Sequence, residues 1–92
     1  MSKYTFVVEI DGGTYLSQID AEDARRAVPL WCDSFQADAP IGNRSKRLSE
    51  AVRRNLSDAE PIPVSGIANT WCFSAMFARK LVLGHVVLTV SG

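Results

Sequence analysis

The sequence predicts an α+β fold: a four-stranded, largely antiparallel sheet with two helices on one face, in the order ββααββ. Three observations predict it. Apolar residues alternate over Tyr4–Ile10 ahead of a glycine turn, and an apolar stripe at helical spacing runs from Ala24 to Phe35. A second alternating stretch then fills the last quarter of the chain. Ninety-two residues make one domain, 1–92, large enough to bury a core without disulfide or metal staples. The hydrophobic fraction of 47% and charged fraction of 22% exclude a disordered chain.

The first element is a strand that places Tyr4, Phe6, Val8 and Ile10 on one side. Asp11-Gly12-Gly13 supplies the positive φ that a tight hairpin needs, and Thr14 to Ile19 is the predicted return strand. Asp20 is the expected N-cap of a helix starting at Ala21, with Glu22 and Asp23 complementing its dipole. Ala24, Ala27, Val28, Trp31 and Phe35 form its buried stripe. Pro29 lies within that stripe. A proline in a helix interior costs about 3 kcal/mol, yet the stripe continues in phase beyond it, which predicts a single kinked helix.

Ala39 to Asn43 has loop composition, and Ser45 is the expected cap of a second helix ending near Leu56, with Leu48, Val52 and Leu56 inward. Ser57 to Gly66, with Pro61 and Pro63, is expected to be an extended, flexible connection. Trp71, Phe73, Ala75 and Phe77 then alternate with Cys72, Ser74 and Met76. After a turn at Ala78-Arg79-Lys80, Val82, Val86, Leu88 and Val90 alternate with Leu83, His85, Val87 and Thr89. Gly84 is the expected site of a bulge. These last two strands are apolar on both sides, which predicts either a second cover or an exposed apolar patch used for association.

Catalytic chemistry has little to stand on. His85 is the single histidine, which excludes a multi-histidine metal site or relay. Cys32, Cys72 and His85 lack the close pair spacing of zinc ligands, so no metal site is expected. Each cysteine follows a tryptophan in apolar surroundings, the setting of an inert thiol, and two free thiols are expected over one bridge. A nucleophilic pairing of either cysteine with His85 is the weaker alternative. Gly12-Gly13 lacks the glycine spacing and following helix of a phosphate loop, so no nucleotide cofactor is expected. Scattered carboxylates give no sign of an acid–base pair. The chain reads as a non-enzyme. Its first apolar run is short and broken by Glu9, and Leu81–Val90 is too short to span a bilayer, so the expected compartment is the cytoplasm, with no membrane partner.

Charge is more informative. Ten basic residues balance ten acidic ones, but the first 43 residues carry seven acids against Lys3, Arg25 and Arg26. The segment 44–54 reverses this with Arg44, Lys46, Arg47, Arg53 and Arg54 against Glu50. Arginine forks suit carboxylates and phosphates alike. These five residues are therefore the expected polar contacts to an acidic protein face or to a nucleic-acid backbone. No aromatic residue interleaves them, so base stacking is not expected.

The run Tyr4-Thr5-Phe6-Val7-Val8-Glu9, its hairpin, and Ala21-Glu22-Asp23-Ala24-Arg25-Arg26-Ala27 resemble the opening of HicB-type antitoxins, which begin with a hairpin and an acidic, alanine-rich helix entry. The likeness covers under a third of the chain; the Pro-Gly-Cys-like connection is absent from it, and no appended DNA-binding module is expected. More broadly the chain is similar to toxin-immunity and anti-CRISPR proteins, which are short bacterial or phage inhibitors. That resemblance implies a protein that occludes a larger protein or ribonucleoprotein. A nucleic-acid-backbone binder is the alternative, and a homodimer joined through the C-terminal strands a further one.

Overall fold

The computed structural model describes residues 1–58 and 60–91 and, at positions 56–58, the backbone alone. Its elements are β1 (Ser2–Ile10), β2 (Gly13–Ala21), α1 (Ala24–Asp38), α2 (Arg44–Asp58), β3 (Ile62–Pro63), β4 (Thr70–Phe77) and β5 (Lys80–Val90). The α+β class is as the sequence predicts, but the sheet has five strands where four were expected. Their order is β2-β1-β5-β4-β3, with every neighbouring pair antiparallel. The additional strand, β3, lies within the expected connection 57–66. A two-residue strand that follows Pro61 and is itself half proline leaves no alternation to read, and Pro63 is accommodated because a short edge strand has a side with no ladder to complete.

Both hairpins close with two-residue turns whose central residues have positive φ: Asp11 and Gly12 between β1 and β2, Ala78 and Arg79 between β4 and β5. This is the turn geometry whose twist matches that of paired strands. The N-cap of α1 is Asp23, not Asp20. Its carboxylate accepts from the Arg26 N–H at 2.8 Å, while β2 continues to the buried Ala21. The helix runs unbroken through Pro29 and ends at Ala39, a left-handed residue whose N–H donates to the Phe35 carbonyl. Ser45, expected to cap α2, lies inside it. Its buried hydroxyl instead accepts from the Ile41 N–H at 3.1 Å, tying down the loop before the helix.

Tyr4, Phe6, Val8 and Ile10 of β1 meet Phe73, Ala75, Val82 and Val86 of β4 and β5 in one core beneath the helices. Trp31 of α1 is its centre: its ring stacks on Phe6 at 5.7 Å and contacts Phe35 at 4.9 Å and Phe73 at 5.8 Å. Truncating such a buried aromatic costs about 3–5 kcal/mol. From α2, Leu48 and Val52 are buried as expected; the side chain of Leu56 lies outside the described ones. The helices are joined by the buried Ser49 hydroxyl, which donates to the Cys32 carbonyl at 3.1 Å.

Gly84 is not at a bulge, because β5 keeps register with both neighbours there. The irregularity falls at the far end of the strand, where Tyr4 faces Leu88 and Lys3 faces Val90, so that Thr89 has no opposite residue. This switches Val90 out of the core phase expected for it and leaves it 56% exposed.

Candidate functional site

The core strands bury their Tyr4–Phe6–Val8 phase under α1 and α2, so the other phase forms a sheet face that neither helix covers. Cross-strand register sets out its contents. One row crosses all five strands: Leu16, Val7, His85, Cys72 and Ile62. On one side of it lie Gln18, Thr5, Val87 and Thr70; on the other, Thr14, Glu9, Leu83 and Ser74, followed by Leu81 and Met76. Val7, Leu83, His85 and Val87 are half-buried by their neighbours. Leu16, Ile62, Met76 and Leu81 are 60–69% exposed at the margins. Polar order is confined to one corner, where Gln18 donates to Thr5 at 3.3 Å and the Thr5 and Thr89 hydroxyls are hydrogen-bonded.

The apolar character of β5 and the outer phase of β4 was legible in the sequence. Leu16, Val7 and Ile62 were not identified as members of the same surface. The signal was there for the first two, since each is an apolar residue in the outward phase of its strand. For Ile62 no signal exists, because nothing local pairs it with Cys72 ten residues later.

The five basic residues expected to act together are divided by the helix they share. Successive positions turn by about 100°. With Ser45, Leu48, Ser49 and Val52 inward, Arg44, Arg47 and Arg54 fall on the side toward β4, and Lys46 and Arg53 on the side toward α1. The first three, with Glu50 and Ala51, line an open groove whose other wall is Met76, Phe77 and Ala78. The Arg44 guanidinium sits 5.3 Å from the Phe77 ring centre, a cation–π distance. Arg53 is ion-paired with Asp33 and donates to the Pro29 carbonyl at 3.3 Å, so it also fastens α2 to α1. Lys46 is exposed.

The charge separation seen along the chain is thus partly cancelled in space. Besides the Arg53–Asp33 pair, Lys80 is bonded to Asp11, Arg25 lies 3.2 Å from Glu60, and Arg26 pairs with Glu22. Lys80, through its hydrogen bond and its charge, holds the Asp11 carboxyl below its ordinary value, and Arg44 adds to the effect.

The two thiols are free and differ in setting. Cys32 is fully buried in α1, and burial pushes its thiol from 9.0 up to about 11. Cys72 is half-buried on the open face, with His85 directly opposite it on β5. The register sets these residues opposite each other, but among the described residues no hydrogen bond joins their side chains and no third group is hydrogen-bonded to the imidazole. Among the described residues no group of three or more histidine, cysteine or carboxylate side chains is placed to hold a metal ion, and no helix is long and apolar enough to cross a membrane.

Comparison with family models, curated proteins and solved structures returns no match.

Proposed function

We propose that the protein is a non-enzymatic inhibitor that occludes a larger protein, in the manner of antitoxins, immunity proteins or anti-CRISPR proteins, and that the open sheet face is its main contact surface. A single observation carries this reading. Five strands present a largely apolar band, Leu16, Val7, Cys72 and Ile62 in one row about His85 with Leu83, Val87, Leu81 and Met76 beside it, on the side without helices. Large contiguous apolar surface is disfavoured on a solitary protein, whereas a partner that covers it gains the hydrophobic free energy. The C-terminal hairpin supplies most of the band, and the Arg44–Arg47–Arg54 side of α2 adds a cationic contact for acidic residues of the partner.

The test is capture of a stoichiometric, nuclease-resistant protein partner by the tagged wild-type chain, repeated with Val87→Glu. The expected result is a partner held by the wild type and lost from the variant. A partner retained by Val87→Glu rules out the open face.

The arginine groove also favours a second reading, contact with a nucleic-acid backbone. Three guanidiniums along one helix side match phosphates as well as carboxylates. On this reading recovery collapses with nuclease, and binding weakens steeply with salt because phosphate contacts release counterions.

A further inference from the structure

We propose that β2 is the seam of a homodimer, in which the β2 strands of two copies pair antiparallel about Ser17 to join the two sheets into one of ten strands.

The two edges of the sheet are built differently. At the β3 edge the chain blunts itself: the strand is two residues long, Pro61 and Pro63 flank Ile62, and farther along β4 the Asn55 amide occupies the outward Ser74 carbonyl. These are the devices by which proteins prevent edge-to-edge pairing. The β2 edge has none of them. It is nine residues long, in regular register with β1 throughout, and contains neither proline, lysine nor bulge. β5 lies between β1 and β4, so the C-terminal hairpin offers no such edge on that strand.

The geometry of β2 is self-complementary. A two-residue hairpin makes Ile10 and Gly13 a hydrogen-bonded pair, so Tyr15, Ser17 and Ile19 also direct their backbone groups toward β1. Thr14, Leu16, Gln18 and Asp20 direct theirs outward. An antiparallel copy centred on Ser17 sets Leu16 against Gln18 and Thr14 against Asp20 of its mate, so outward groups meet outward groups along the whole strand. On the helix side, Tyr15 meets Ile19, a favourable aromatic–branched pair.

The helix beside β2 fits the same axis. With only Glu22 and Asp23 between them, α1 runs back antiparallel to β2, and the Tyr15 and Phe35 rings touch edge to face at 6.1 Å. Two strand residues advance roughly 7 Å, or about four to five helical residues, which brings Ser17 level with Leu30 and Trp31. Arg26, Leu30, Ser34 and Asp38 form an i, i+4 row on the flank of α1 away from α2. Arg26, paired with Glu22 of its own chain, ends the row on one side and Asp38 on the other; the row is centred near the same level, and Leu30 within it is 44% exposed. Across the two-fold axis Arg26 faces Asp38 and Leu30 faces Ser34. α1 packs over β2 and β1, so the two helices stand about two strand spacings apart, roughly 10 Å, which is ordinary helix-packing distance. A strip about 30 Å long and roughly 20 Å deep covers on the order of 600 Å² per copy, the lower end of the range for stable dimers.

Sedimentation equilibrium on the wild type, on Gln18→Pro, and on Ser17→Cys in a Cys72→Ser background tests this. Proline at 18 removes an outward donor that the isolated subunit does not use, so the fold survives while the seam is broken. The expected masses are twice 10.1 kDa for the wild type and 10.1 kDa for Gln18→Pro with an unchanged circular dichroism spectrum. Cysteines at 17 face each other at a non-hydrogen-bonded pair, within disulfide reach, and oxidise to a covalent dimer. A monomeric wild type overturns the proposal, as does failure of Ser17→Cys to cross-link. If Gln18→Pro does not fold, the wild-type mass and the cross-link decide alone.

Discussion

The Phe73 ring lies across the backbone of Gly84, its cross-strand neighbour: a Cβ at position 84 would come within 2.2 Å of the ring's ζ carbon. The ring cannot simply swing away, because Phe6 and Trp31 stand 6.1 and 5.8 Å from it on the core side. Gly84→Ala is therefore expected to destabilise by about 1–3 kcal/mol, as overpacking of a filled core does. Phe73→Leu in the same chain should recover part of that loss. Urea titration of both single variants and the double variant measures the coupling; additive losses would mean that the two residues do not compete for the same space.

Turn chemistry offers a gain in stability. Asp11-Gly12 suits the left-handed conformation of its turn, but Ala78 (φ 51°) and Arg79 (φ 65°) adopt the same conformation without the residues that favour it. Ala78→Asn with Arg79→Gly should stabilise the protein by about 1 kcal/mol. Ala39→Gly, at the left-handed end of α1, should do so by a similar amount. Thermal melts check each.

The cysteines should be kinetically distinct. In the native protein a thiol reagent modifies Cys72 first, and Cys32 reacts only on unfolding, since it is buried and its thiol is held protonated up to about 11. The same shift has a pH consequence. Above 9.0 the thiol ionises in the unfolded chain while it stays neutral in the folded one, so stability falls as pH rises from 9.0 to about 11. The fall should be shallower in Cys32→Ala, measured as denaturation midpoint against pH.

Between the helices, Ser49→Ala removes the donor to the buried Cys32 carbonyl and is expected to cost about 1–2 kcal/mol. Arg53→Ala breaks only exposed contacts, and its effect should fall below about 1 kcal/mol. Denaturant unfolding of the two variants separates a buried tie from a surface one.

On the open face, Val87→Glu should leave the fold intact while abolishing partner capture; Arg44→Glu with Arg47→Glu should weaken it less. Equal circular dichroism spectra with unequal recovery would place the main contact on the sheet. The reverse ranking would shift it to the groove beside α2.

Local periodicity settled much of this molecule. Alternation at Tyr4–Ile10 and Trp71–Phe77 marked strands and their inward sides, the three-and-four spacing through Trp31 and Phe35 marked a helix that tolerates Pro29, and Asp11-Gly12 marked a hairpin. Those features depend on neighbours a few residues apart, whose spacing is written in the chain itself. What the sequence could not specify depends on pairing between distant segments. Only the tertiary structure decided that β5 inserts between β1 and β4, that Ile62 completes a row begun by Leu16, and that Arg53 meets Asp33 while Arg44 lies against Phe77. A row of side chains across five strands exists only once each strand has its register. The two-residue turns fix register within each hairpin, but register between β1 and β5 and between β3 and β4 is set by the burial of the whole core.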